Sequence, residues 1–187
     1  MTELVLYIGM GFRHITAIGA LDHLLFLVAL VAPYRPRDWR QLVLVATAFT
    51  VGHSVTLALV VTNVVRLPTA LIEFLIPITI VAAAVGNLRQ SSDPRFGWHR
   101  AMLAGGFGLI HGAGFANFLR TMFFGPIALP LVSFNIGIEL GQLVIIIATL
   151  LLFSVADAFG SVRRRAVVTS LIVAVWAVTM AAQRVPW

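Results

Sequence analysis

Long apolar runs alternate with short polar breaks along the whole chain. Six runs stand out, at about 13–33, 40–63, 68–88, 99–119, 128–154 and 165–183. Each approaches the roughly 20 residues an α-helix needs to cross a hydrocarbon core. The breaks are Pro33-Tyr34-Arg35-Pro36-Arg37-Asp38, Arg66-Leu67-Pro68, Gln90-Ser91-Ser92-Asp93-Pro94-Arg95, Gly125-Pro126 and Ser161-Val162-Arg163-Arg164-Arg165. They hold the charges, turn formers and prolines that end helices. Connections this short predict antiparallel neighbours in one domain, residues 1–187. No internal repeat or low-complexity tract is evident. Residues 1–12 lack a basic n-region and a small-residue cleavage pattern, so no cleaved signal peptide is read; the segment is predicted as a short helix in the membrane interface.

Composition strengthens this picture. The chain is 60% hydrophobic and 11% charged, with a mean hydropathy of +0.99. Soluble domains carry about 25% charged residues, so lipid must be the solvent. The expected fold is an all-α integral membrane bundle of about six transmembrane helices. The formal charge is +6, and all 13 basic residues are arginine. They fall in the breaks, as topology signals do, which argues against nucleic-acid binding. Arg35, Arg37, Arg40, Arg89, Arg95, Arg100, Arg163, Arg164 and Arg165 follow runs one, three and five; Arg13, Arg66, Arg120 and Arg184 lie on the other side. The bias predicts a cytoplasmic membrane of bacterial type with both termini facing outward. Trp39, Trp98 and Trp187 sit at span ends, as interfacial aromatics do. The run Arg163–Arg165 reads as an anchor and topology signal.

Polar residues inside the apolar runs carry the chemistry. They are His14, Asp22, His23, His53, Glu73, His111 and Glu139, the last accompanied by Asn135 and Gln142. No arginine lies deep in a run. A carboxylate in hydrocarbon costs several kcal/mol unless it is protonated, paired or bound to a metal. At a rise of about 1.5 Å per residue, Asp22 and His23 lie about 13–15 Å below the outer end of the first run, and His53 and His111 about 10–15 Å below the outer face. Glu73 is about 8 Å down and Glu139 about 16 Å down by the same rise. The imidazoles and carboxylates therefore predict a metal site in the outer half of the membrane, with His14, Asp22, His23, His53, His111 and Glu139 as candidate ligands. The chain has no cysteine, so disulfides and thiolate ligands are excluded, and nitrogen and oxygen donors suit Ni, Co, Zn, Fe or Cu(II). Asn135, Glu139 and Gln142 share a helix face, which lets Asn135 and Gln142 orient ligands. Thr50, His53 and Ser54 share a face of the second run. His99, beside Trp98 and Arg100, reads as interfacial packing. Glu73 has a second reading, as a protonated side chain against a helix carbonyl, with Pro77 freeing backbone groups one turn on. The glycines of the fourth and fifth runs, among them Gly108, Gly112, Gly137 and Gly141, read as close helix packing.

The ordered motifs resemble the HupE/UreJ family of membrane proteins. They are His14 with Asp22-His23-Leu24-Leu25-Phe26, Phe49-Thr50-Val51-Gly52-His53-Ser54-Val55-Thr56-Leu57, Ile72-Glu73-Phe74 with Asn87, Gly108-Leu109-Ile110-His111-Gly112-Ala113-Gly114-Phe115-Ala116, and Phe134-Asn135-Ile136-Gly137-Ile138-Glu139-Leu140-Gly141-Gln142. The resemblance implies accessory proteins of nickel hydrogenases and ureases, described as nickel or cobalt permeases, with metalloenzyme maturation partners. Hydrogenase-associated members have five residues between the first histidine and the Asp-His pair, and here seven separate His14 from Asp22. On a continuous helix that difference changes the face His14 occupies.

Two functions follow. The first is a divalent metal permease whose partners are the ion and the bilayer. The second is a membrane-embedded metal-dependent hydrolase, in which a metal-bound water is the nucleophile and Glu73 or Glu139 the general base.

Overall fold

The computed structural model describes residues 3–89, 97–122 and 126–186. The break at 90–95, Gly125 and Trp187 lie outside the described residues. Helices α1 (Glu3–Thr16), α2 (Leu21–Val31), α3 (Trp39–Val61), α4 (Thr69–Arg89), α5 (Gly97–Met122), α6 (Ala128–Asp157) and α7 (Val162–Gln183) follow in order, with a single 3-10 turn at Pro36–Asp38. There is no strand among the described residues, so the all-α expectation holds. Four segments are long and apolar enough to cross a membrane: Pro36–Val61, Thr69–Arg89, Ala128–Asp157 and Val162–Gln183. The bent pair α1–α2 makes a fifth if its two halves count as one span. Helix α5 has the length, at 26 residues, but Gly105, Gly106, Gly108, Gly112, Gly114 and His111 dilute its apolarity.

The first apolar run is not one helix. Helix α1 carries Gly11, His14 and Ile15 into the bundle instead of ending as a short interfacial segment, and α2 departs from it at 71°. Thr16 donates to the Phe12 carbonyl (2.8 Å), Ala17 N–H to Arg13 O and Ala20 N–H to Ala17 O, so the chain tightens into a turn. The turn residues Ala17-Ile18-Gly19-Ala20 are all apolar or small, so the hydrophobic pattern runs through the break without a mark. Helix α2 then starts without a capping side chain at Ala20. Asp22 supplies the cap: its Oδ1 accepts the His23 backbone N–H at 2.9 Å, a favourable place for an anion at a helix N-terminus.

The most extensive interfaces join α3 to α5, α1 to α6 and α4 to α7, none of them consecutive helices. Glycine makes the first two possible. A methyl group added at Gly52 would fall on the Gly105 carbonyl oxygen, and one at Gly108 on that of Phe49. In the other pair, a methyl at Gly11 would fall on the Phe134 carbonyl oxygen and one at Gly137 on that of Ile8. The backbones therefore touch directly, which is the small-residue packing expected between membrane helices. Contacts advance in step: Gly137 meets Ile8 and Phe12, then Gly141 meets Phe12 and Ile15; Gly105 meets Ala48, then Gly112 meets His53. Both pairs are parallel.

The two pairs are also equivalent. Ile8, Gly11 and Phe12 of α1 stand where Gly105, Gly108 and Leu109 of α5 stand, and Phe49, Gly52 and His53 of α3 correspond to Phe134, Gly137 and Ile138 of α6, at a constant offset in each case. Their directions are opposite. Helix α5 is about 39 Å long by the helical rise, and the five residues before α6 reach at most about 20 Å, so α6 must turn back. The fold thus contains an inverted repeat, α1 and α3 against α5 and α6, which the sequence marks only by Gly11-x-x-His14 with Gly108-x-x-His111 and Phe49-x-x-Gly52 with Phe134-x-x-Gly137. His14 corresponds to His111, and His53 to Ile138. Side-chain hydrogen bonds join one pair to the other: Thr47 Oγ1 donates to Glu139 Oε1 (2.6 Å), and Thr50 Oγ1 to Gln142 Oε1 (3.1 Å).

At the far end of α2, the arginine run does more than anchor. Buried Arg165 donates to both carboxylate oxygens of Asp157 (2.7 and 3.1 Å), to Ala32 O (2.8 Å) and to Tyr34 O (3.0 Å). Arg163 donates to the Asn87 and Leu88 carbonyls that end α4 (2.9 and 2.7 Å). Asn87 in turn donates to Ala29 O at 2.7 Å and accepts from Arg100 at 2.9 Å. Arg165→Ala strips the partner from Asp157 and is expected to cost about 3–5 kcal/mol. Thermal unfolding in detergent measures it against exposed Arg164→Ala, which should unfold like the wild type.

Candidate metal centre

The bend between α1 and α2 builds the site. His14 in the last turn of α1 and His23 in the first turn of α2 face each other with ring centroids 4.7 Å apart. His53 of α3 approaches both, at 6.0 and 6.3 Å, and His111 of α5 stands 5.2 Å from His23. One ligand nitrogen from each of His14, His23 and His53 lies within 4.8 Å of the others. Nitrogens on one tetrahedral ion sit about 3.3 Å apart, given metal–nitrogen bonds of about 2.0–2.1 Å. Small side-chain rotations close that gap. Because the chain breaks between His14 and Asp22, the seven-residue interval sets no helical face, and His14 reaches the cluster freely.

Hydrogen bonds assign which nitrogen faces inward. His23 Nδ1 donates to Asp22 Oδ1 at 3.0 Å, leaving the Nε2 lone pair for the cluster. Thr79 gives its hydroxyl hydrogen to Ile76 O (2.7 Å), so its oxygen accepts from His111 Nε2 (2.9 Å), and His111 Nδ1 keeps the lone pair. His14 Nε2, His23 Nε2, both ring nitrogens of His53 and His111 Nδ1 are buried without a partner. Each such group costs about 1–3 kcal/mol. A borderline divalent cation is what this imidazole donor set fits. Aromatic rings exclude water around it: Phe115 and Phe134 pack on His14 (3.9 and 5.7 Å), while Phe49 and Phe26 lie at 5.2 and 5.3 Å from His111.

Of the other residues nominated by the sequence, the carboxylates Glu139 and Glu73 stand outside the three-histidine group. Glu139 is half-buried, holds the Thr47 hydroxyl and is not part of the three-histidine group. Glu73 is exposed on α4. Gln142 is fully buried with Nε2 unpartnered, and Asn135 donates to Leu131 O with Oδ1 unpartnered. Two contributors escaped sequence reading. Thr79 was hidden as one hydroxyl in an apolar run. Arg184, past the last run, brings Nη1 to 3.6 Å from Asp22 Oδ2; nothing local marks it.

Apolar helices of membrane length and a buried histidine cluster able to hold a metal ion define a class, the polytopic membrane proteins with a candidate metal centre. The chain belongs to the HupE/UreJ family: the family model described as HupE / UreJ protein matches residues 1–187. No curated protein and no solved structure matches it.

Proposed function

We propose that the chain is a divalent transition-metal permease of the nickel or cobalt type. One observation carries this reading. The histidine cluster lies where the two pairs related by the inverted repeat meet, with His14 from the α1·α6 pair and His53 and His111 from the α3·α5 pair. Secondary transporters bind cargo between inverted repeats and expose it to each side by rocking one unit against the other. Backbone contact at glycine stiffens each pair here, whereas the pairs meet through side chains, the Thr47–Glu139 and Thr50–Gln142 hydrogen bonds and the stacked rings of Phe115 and Phe134.

In this reading α1–α2 forms the first of six crossings and α5 the fourth, in a cytoplasmic membrane, with both termini outward on the arginine bias. His14, His23 and His53 hold the ion, His111 adjoins them, and Asp22 orients His23. Gln142 and Asn135 support the site from α6, and Glu139 serves the joint between the pairs. Metalloenzyme maturation supplies the receiving partner. The hydrolase alternative needs a carboxylate within hydrogen-bond reach of a metal-bound water. Glu73 points away, Glu139 is engaged with Thr47, and Asp22 with His23, which favours transport.

Proteoliposomes test the proposal. Those holding the wild type should accumulate Ni²⁺ or Co²⁺ above those holding His23→Ala. Equal uptake by the two sinks the permease.

A further inference from the structure

Among the described residues, Arg184 is the cation that an ion pair joins to the histidine site. It follows the last turn of α7, and α7 lies outside both glycine-locked pairs. Asp22 divides its oxygens between two duties. Oδ1 holds the backbone and ring N–H groups of His23, and Oδ2 meets Arg184. Side-chain exposure falls along this line from 33% at Arg184 to 18% at Asp22 and 6% at His23, and His53 is at 0%. The ion pair therefore stands between the surface and the buried histidines.

A guanidinium fixed there holds the Asp22 carboxylate whether the site is empty or filled, and in the filled site alone it repels the dication beyond His23. We propose that Arg184 is a positioning residue that lowers the affinity of the histidine site for a dication, so that the ion is held loosely enough to leave. Transport requires such a balance, whereas a resident catalytic metal is served by the tightest binding. The proposal rests on the metal-site reading above and adds the residue that sets its strength.

Titration of the purified full-length protein with Co²⁺, followed by the visible absorption of the bound ion and by calorimetry, tests it. R184Q is expected to bind Co²⁺ about tenfold tighter than the wild type and to release it more slowly to a chelator. R184K, which keeps the charge, should stay within about twofold of the wild type. A merely structural role for Arg184 would loosen binding or leave it unchanged, and either result in folded R184Q overturns the proposal. Should R184Q not fold, R184M gives the same sign test. D22N supplies an independent reading: with Arg184 unopposed its affinity should fall, and D22N/R184Q should recover part of the loss. No recovery overturns the proposal. A wild type that binds no Co²⁺ removes the metal-site reading together with it, while wild-type binding with unshifted R184Q removes only the role of Arg184.

Discussion

His53→Ala is expected to lower the affinity of the protein for Co²⁺ or Ni²⁺ at least about 100-fold, because substitution of a residue that only orients a ligand already costs about 10–100-fold. His53 is fully buried and neither ring nitrogen has a partner. Its imidazole therefore adds little polar bonding to the empty fold. The metal-free variant should unfold near the wild-type temperature, lowered only by the cavity left behind. The stabilisation that a ligand gives, which grows as RT ln(1 + [L]/Kd), should disappear. Thermal unfolding with and without Co²⁺ reads both quantities. A packing histidine would give the opposite pattern: a lower melting temperature with metal-induced stabilisation intact.

Linking the two helix pairs should stop transport without emptying the site. The chain has no cysteine, so thiols can be placed at will. Thr47 and Glu139 meet across α3 and α6 at 2.6 Å. A Thr47→Cys/Glu139→Cys protein joined by a short reducible bis-thiosulfonate is expected to lose most uptake, by about tenfold or more if rocking of the pairs limits exchange. A reductant should restore it, and Co²⁺ binding should persist throughout. The reagent-treated single variants Thr47→Cys and Glu139→Cys, which cannot be joined within one molecule, control for reagent effects. Undiminished uptake after complete linkage would show that the pairs do not move against each other at this contact.

Much of the candidate site was legible before folding was considered. Asp22, His23, His53 and His111 stand out because each is expensive in hydrocarbon, and their similar depth predicts a meeting. Glu139 lies at a similar depth yet stands apart from the histidine group, because depth along a helix says nothing about rotation around it. In water, a helix shows its inward face by its apolar stripe. In lipid both faces are apolar, and that signal vanishes. What remains is glycine, and the glycines of α5 and α6 do mark the contact faces, though not the partners.

The sequence by itself determined the class, the donor types and the exclusion of thiolate chemistry. These follow from transfer energies and composition, which are local. Only the tertiary structure decided that the first run breaks after Thr16, that α1 pairs with α6 and α3 with α5, and that Arg184 reaches Asp22. Those outcomes depend on backbones meeting across the bundle. The physical reason is that a glycine permits close approach by lacking a side chain, and a missing side chain names no partner until the other helix is in place.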